Sequence, residues 1–205
     1  NGEEDTLDGD AILLATGRGP NTEGLHAERA GVELTKRGAV VTDKHLRTTA
    51  ENIWAAGDVC GNLQFTYISL DDSRIILSDM QGDGSRTTEN RGAFAYSVFM
   101  EPSFSRVGLS EKEAADKGLN YRVVRMNTDM IPKAKVLRKT TGMLKAVIDK
   151  DSGKIFGAAL FCPESYEIIN MVKLAMDHDL DYTVLRDFIY THPTMSEGLN
   201  DLFAL

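Results

Sequence analysis

The feature that most constrains this chain is a switch of hydrophobic period between residues 142 and 178. Residues 142–149 and 154–161 carry two strand patterns on either side of Lys150-Asp151-Ser152-Gly153, a polar turn, and therefore read as a hairpin. Directly after it, Ile168, Met171, Val172, Ala175 and Met176 recur at helical spacing over residues 164–178. A two-stranded hairpin is marginal alone and an apolar helix stripe needs cover, so the helix must lie on a sheet that contains the hairpin. Further strand patterns fall at Tyr96-Ser97-Val98-Phe99-Met100, over residues 104–109 and over 121–126. Ser110-Glu111-Lys112-Glu113 is a capping box that opens a short helix ending at Gly118. A second helix around residues 182–189 places Leu185, Phe188 and Ile189 on one face before His192-Pro193 breaks it. Strands followed by helices predict an α+β domain from about residue 93 to 205, an antiparallel sheet with helices on one face.

The upstream part reads differently. Ala11-Ile12-Leu13-Leu14-Ala15-Thr16, closed by Gly17, has the unbroken apolar character of a central parallel strand buried on both faces. Arg18-Gly19-Pro20-Asn21 turns the chain. Residues 39–42 and 53–56 are two more strand candidates, the second ended by Gly57-Asp58, and together these make a small β-rich unit. Ile68, Ile75, Ile76 and Met80 predict a helix over residues 66–80, followed by a polar linker to about residue 90. The basic residues Lys133, Lys135, Arg138 and Lys139 read as a solvated strand face, and the chain has no internal repeat.

Composition narrows the function classes. With 205 residues, 42% of them hydrophobic, and 18 glycines, the chain suits one large or two small soluble domains. A net charge of -8 argues against a nucleic-acid groove, which needs clustered Lys and Arg. No apolar run approaches the roughly 20 residues of a membrane-spanning helix and no signal peptide opens the chain, which reads as cytoplasmic. Cys60 and Cys162 lie too far apart for a C-x-x-C or a zinc site, and Cys60 reads as inert. His26, His45 and His178 read as surface or capping residues, and Met126, Met130 and Met143 as core filler, so no metal site is assigned. The start at Asn1-Gly2-Glu3-Glu4-Asp5, without Met, reads as a cut through a longer protein.

Two places can carry chemistry. Gly57-Asp58 puts a carboxylate just beyond a strand end, where open α/β sheets bind ligands, with the N-terminus of the next helix near Thr66. Locally it is equally a strand-ending turn. His192, five residues before Glu197, can move a proton near neutral pH if a carboxylate fixes its tautomer. Locally Thr194-x-x-Glu197 is equally a capping box for the last helix.

Order along the chain decides more than either site. Ala15-Thr16-Gly17-Arg18-Gly19-Pro20-Asn21 resembles the A-T-G-R-x-P-N segment at the exit of the NAD(P) domain in the pyridine nucleotide-disulfide oxidoreductases. The run from Thr48 through Ile53-Trp54-Ala55-Ala56-Gly57-Asp58 resembles their second FAD-binding segment, and His192-Pro193-Thr194-Met195-Ser196-Glu197 resembles the H-P-T-x-S-E close of glutathione reductase, lipoamide dehydrogenase and mercuric reductase. The resemblance implies FAD and NAD(P)H as cofactors. It implies Asp58 on the ribityl chain, Gln64, Phe65 and Thr66 by the flavin pyrimidine edge, and Gly57 and Gly17 as cofactor-binding glycines. His192 becomes the acid/base for a redox-active cysteine pair of the partner subunit in a homodimer, and Glu197 its orienter. Residues 1–21 then end an NAD(P)-binding domain, 22–90 close an FAD-binding domain and 91–205 form a dimerisation domain.

Gln64-Phe65-Thr66-Tyr67-Ile68-Ser69-Leu70-Asp71-Asp72 and Leu199-Asn200-Asp201-Leu202-Phe203 are similar to the bacterial reactive-chlorine-resistance flavoproteins, proposed reductases of hypothiocyanous acid. Tyr190 stands where lipoamide dehydrogenase has the first His of H-x-H-P-T, and Thr66-Tyr67-Ile68-Ser69 replaces its A-H-V-A. The expected enzyme is an NAD(P)H-oxidising reductase of a small oxidised sulfur or reactive-chlorine-derived species; a dihydrolipoyl dehydrogenase or a mercuric reductase-like enzyme is the alternative. This chain holds neither a C-x-x-x-x-C pair nor a G-x-G-x-x-G loop, which implies that taken alone it is an inactive dimerisation module.

Overall fold

The Lys150–Gly153 turn joins β4 (Met143–Asp149) to β5 (Ile155–Phe161), paired antiparallel from Met143 opposite Phe161 to Ile148 opposite Ile155, with an irregularity between Val147 and Ile148. These are the central strands of a five-stranded sheet, also containing β1 (Ala95–Val98), β2 (Phe104–Gly108) and β3 (Tyr121–Asn127), in the order β1-β2-β5-β4-β3. Every neighbouring pair is antiparallel. The structure is a computed structural model that describes residue 4 and residues 6–205; the remaining residues of the polar opening 1–5 lie outside the described residues. The chain divides into two compact units, Asn1–Arg91 and Gly92–Leu205.

In the second unit the period-2 pattern of the strands and the period-3.6 pattern of the helices converge on one core. Leu144, Ala146, Ile148, Ala158 and Leu160 leave the sheet on the side met by α4 (Ser165–Asp177), which buries Ile168, Ile169, Val172 and Ala175. The last helix, α6 (Gly198–Ala204), adds Leu199, Leu202 and Phe203 to the same core and packs on β3 and β4. Gly198 is required there, because a Cβ would stand 2.7 Å from Ile131 Cδ1. The polar entry to α4 is also satisfied: buried Ser165 Oγ lies 2.8 Å from Ser103 Oγ and 2.9 Å from Ser105 Oγ.

The capping box opens α2 (Glu111–Asp116): Ser110 Oγ accepts from the Glu113 amide at 3.2 Å and Glu113 Oε2 accepts from the Ser110 amide at 2.7 Å. The Ser110 hydroxyl first, and then the Ser110 amide, hold the Glu113 carboxyl down at about 2. Ser110→Ala is expected to cost about 1 kcal/mol of unfolding free energy, measured by urea titration, and an unchanged midpoint would show the cap to be idle.

Four expectations are corrected. Residues 11–16 form no strand: Ile12, Leu13 and Leu14 are exposed at 88, 90 and 81%, because no described residue supplies the neighbouring strands that such a run needs. Residues 39–42 and 53–56 give isolated bridges, Leu34 with Val40 and Arg47 with Trp54, instead of a ladder. The reason is visible at 40 and 41, whose amides bond different segments, Val40 to Val59 and Val41 to Glu33. The basic stretch is not a strand face; it begins with α3 (Pro132–Leu137), where Pro132 sits in the first turn and loses no bond, and Ala134 is buried. The helix expected over 182–189 is a single turn, α5 (Thr183–Arg186), with Phe188 and Ile189 exposed beyond it.

Met126 is buried, whereas Met130 and Met143 are about half exposed and do not fill a core. The first unit is held by two small clusters, one around Ala27, Val32 and Val40, the other joining Leu46, Cys60 and Ile75 of α1 (Thr66–Gln81). No helix among the described residues is long and apolar enough to cross a membrane.

Candidate functional site

In the first unit, Gly57 to Cys60 form a 3-10 turn that leads through residues 61–65 into α1. Gly57 has φ 74°, and a Cβ on it would lie 2.7 Å from Ser69 Oγ, so a glycine here both permits the turn and lets it rest on the helix. Its amide donates to Asp72 Oδ2 at 2.8 Å, and Asp72 Oδ1 accepts from Arg91 Nη2 at 2.6 Å. Asp72 is 3% exposed. It occupies the apolar stripe between Ile68 and Ile75, and a carboxylate at that helical spacing was the available clue to this role.

Asp58 itself is left partly exposed and accepts from Arg18 Nη2 at 3.2 Å, which brings the segment after Gly17 to the Gly57-Asp58 turn. Gly17 has φ 116° and open space around it. Gln64 is half-buried, while Phe65 and Thr66 are exposed at the start of α1, whose first-turn amides receive no side-chain cap. An acceptor for hydroxyls at Asp58 beside an uncapped helix N-terminus suits a polyol chain ending in an electron-rich ring. The residues present therefore fit a flavin. Cys60, next to them, is buried, and burial above all pushes its thiol up to about 11, so it is not a ready nucleophile.

In the second unit, His192 Nδ1 lies 2.5 Å from Glu197 Oε1. The other carboxylate oxygen, Oε2, accepts from the Thr194 amide at 2.6 Å. Different oxygens of the one Glu197 side chain thus hold His192 and the Thr194 amide, the second in the turn that leads into α6. The expected capping box of the last helix does not form, because α6 starts only at Gly198, with Glu197 as its N-cap and no side-chain cap bond, and Thr194 Oγ1 donates to Thr191 O at 2.8 Å. The His192 bond, then the Thr194 amide, hold the Glu197 carboxyl below the usual carboxylate range. Glu197 is largely buried at 19% side-chain exposure and His192 is open at 70%, so the ring is fixed from behind and presents Nε2 outward. Cys162 is buried, its thiol pushed up to about 12 chiefly by desolvation, and takes no part. Among the described residues no cluster of three His, Cys, Asp or Glu could hold a metal ion.

The dimerisation domain of the pyridine nucleotide-disulphide oxidoreductases matches residues 94–203. The chain belongs to that family. A second region of the pyridine nucleotide-disulphide oxidoreductases matches residues 1–73. This oxidoreductase chain is 53% identical over 196 residues to the Escherichia coli (strain K12) protein described as "Probable pyridine nucleotide-disulfide oxidoreductase RclA", with 96% of this chain and 44% of that protein covered. It is 36% identical to the mercuric reductase of Staphylococcus aureus over 97% of this chain and 36% of that enzyme. Among solved structures, the HOCl-induced flavoprotein disulfide reductase RclA from Escherichia coli superposes with a TM-score of 0.92 at 52% identity, over 96% of this chain and 45% of that one. The chain spans less than half the length of these relatives. FAD and NAD(P)H are the cofactors of this oxidoreductase family.

Proposed function

We propose that this chain serves an FAD-dependent, NAD(P)H-oxidising reductase of a small oxidised sulfur or reactive-chlorine-derived species, hypothiocyanous acid being the preferred substrate. The observation that carries the reading is the Glu197 carboxylate, which binds His192 Nδ1 with one oxygen and the Thr194 amide with the other. A ring held in that way keeps one tautomer and one orientation, and Nε2 is free to exchange a proton with a thiol. In this reading the thiol belongs to a cysteine pair supplied by the partner subunit of a homodimer, with residues 91–205 as the dimerisation domain. Residues 1–21 and 22–90 serve the NAD(P) and FAD regions. Bound FAD supplies two-electron transfer between NAD(P)H and that disulfide. Asp58 would accept from the ribityl hydroxyls, Gly57 and Gly17 would let the cofactor approach the backbone, and Gln64, Phe65 and Thr66 would hold the ring edge.

Glu197→Gln tests the role of the carboxylate in the holoenzyme. A carboxamide has one oxygen and one NH2, so if its oxygen keeps the Thr194 amide its nitrogen faces His192 Nδ1 and can only donate to it, which reverses the tautomer and cannot stabilise the charged ring, whereas the carboxylate serves both partners as an acceptor. Reduction of the flavin by NAD(P)H is expected to be unchanged, and reoxidation by hypothiocyanous acid to slow on the order of 10-fold or more. Because the folded-state pKa of Glu197 is depressed, its contribution is complete above the unfolded value of about 4.3 and is lost as pH falls through the lower folded value; the variant loses that acid limb. Equal rates in both half-reactions would remove Glu197 from the mechanism. Faster reoxidation by mercuric ion than by hypothiocyanous acid would transfer the reading to mercuric reduction.

A further inference from the structure

Asn200 has no place in the proton-transfer motif, yet it makes a dense set of polar contacts. Its Nδ2 lies 3.1 Å from Leu185 O, 2.7 Å from Arg186 O and 3.0 Å from Phe188 O. Three converging carbonyl oxygens require the amide nitrogen to face them, since an oxygen in that position would be repelled. They include carbonyls left without a helical partner where α5 ends at Arg186. Tyr190 adds a hydroxyl bond to Leu185 O at 3.1 Å.

Leu185 seats the start of this segment in the core and Tyr190 packs against that core, but Phe188 and Ile189 are exposed at 55 and 93%, so Asn200 supplies the polar hold of α6 on the stretch between. Asn200 stands on a fixed base: its neighbours Leu199, Leu202 and Phe203 on α6 are buried in the core. The residue preceding α6 is Glu197, which holds His192 from the downstream side. α6 and the residue before it therefore hold two points, residues 185–188 through Asn200 and the His192 ring through Glu197.

We propose that Asn200 is a positioning residue for His192, its side-chain amide tying residues 185–188 to α6 so that the ring arrives at hydrogen-bond distance from Glu197. The inference rests on the proton-transfer role of His192 given above. Without the amide donors the segment leading to His192 loses its polar tether, and the ring samples orientations in which Nδ1 and Glu197 separate.

The test uses the holoenzyme with Asn200→Leu, which keeps the size and removes the donors, and Asn200→Asp, which sets a carboxylate against three carbonyls. Flavin reduction by NAD(P)H is expected to stay at the parent rate in both. Reoxidation by hypothiocyanous acid is expected to fall on the order of 10-fold, in kcat more than in KM, with Asp worse than Leu. If Asn200 acts through His192, adding Asn200→Asp to His192→Ala slows that variant no further, whereas a purely structural role gives independent losses that multiply. Multiplying losses, or normal reoxidation in both Asn200 variants beside a slow His192→Ala, overturn the inference and leave the function standing. Normal turnover in His192→Ala removes the functional reading itself, and this inference with it. Should Asn200→Asp fail to fold, Asn200→Leu alone and combined with His192→Ala decides the matter.

Discussion

Replacing His192 by alanine is expected to slow turnover of the oxidised sulfur substrate by about 100-fold or more, the scale of general acid-base loss, while NAD(P)H reduces the flavin at the parent rate. The split follows from where the ring stands. His192 is exposed, contributes nothing to the buried core, and is bonded through Nδ1 to Glu197, so its removal deletes a proton carrier and little else. Stopped-flow reduction followed by substrate-driven reoxidation separates the two steps. A fall in both half-reactions together would point to damage to the fold, and no fall in either would end the assignment. Glu197 in the variant keeps the Thr194 amide but loses the contact that most lowers its carboxyl, so its pKa is expected to rise toward the ordinary glutamate value.

The second large effect belongs to the first unit. Asp72→Ala is expected to destabilise it by about 3–5 kcal/mol, the scale for breaking a buried ion pair by deleting one partner. Asp72 accepts from the Gly57 amide and from Arg91, and the Arg91 side chain is only 14% exposed. Asp71 stands 3.4 Å from Arg91 Nε but is engaged by Arg86, so it offers Arg91 an incomplete substitute. The loss therefore leaves a buried guanidinium undercompensated and a buried amide without its acceptor. Because that amide belongs to Gly57, flavin retention after gel filtration is expected to fall with stability. A loss of unfolding free energy below about 1 kcal/mol in urea titration would place Asp72 with ordinary surface ion pairs.

Much of the second unit could be read along the chain because its signals are local. The hairpin, α4 and the Ser110 capping box are each local along the chain and announce themselves through period 2, period 3.6 and a three-residue spacing. The misread elements are those where a local sign has two meanings. Lys133, Lys135, Arg138 and Lys139 read as a strand face, and the first two lie in a helix that Pro132 opens; Phe188 and Ile189 read as a buried face and are exposed; residues 11–16 read as a buried strand, a state that depends on neighbours no local pattern contains.

The family and the identity of its candidate residues were legible from three motifs in order, although each motif was ambiguous alone. Sequence alone could not say that Glu197 holds the Thr194 amide and His192 at once, that Asp72 carries the Gly57 turn, or that Asn200 grips the segment before His192. These contacts join residues that lie 5, 15 and 14 positions apart, two of them side chain to backbone, at directions and distances set by the packed helices α1 and α6. Local periodicity is written into adjacent residues, so sequence by itself determined the hairpin, the main helices and the motif order. Which oxygen meets which proton depends on where the core seats those helices, and that only the tertiary structure decided.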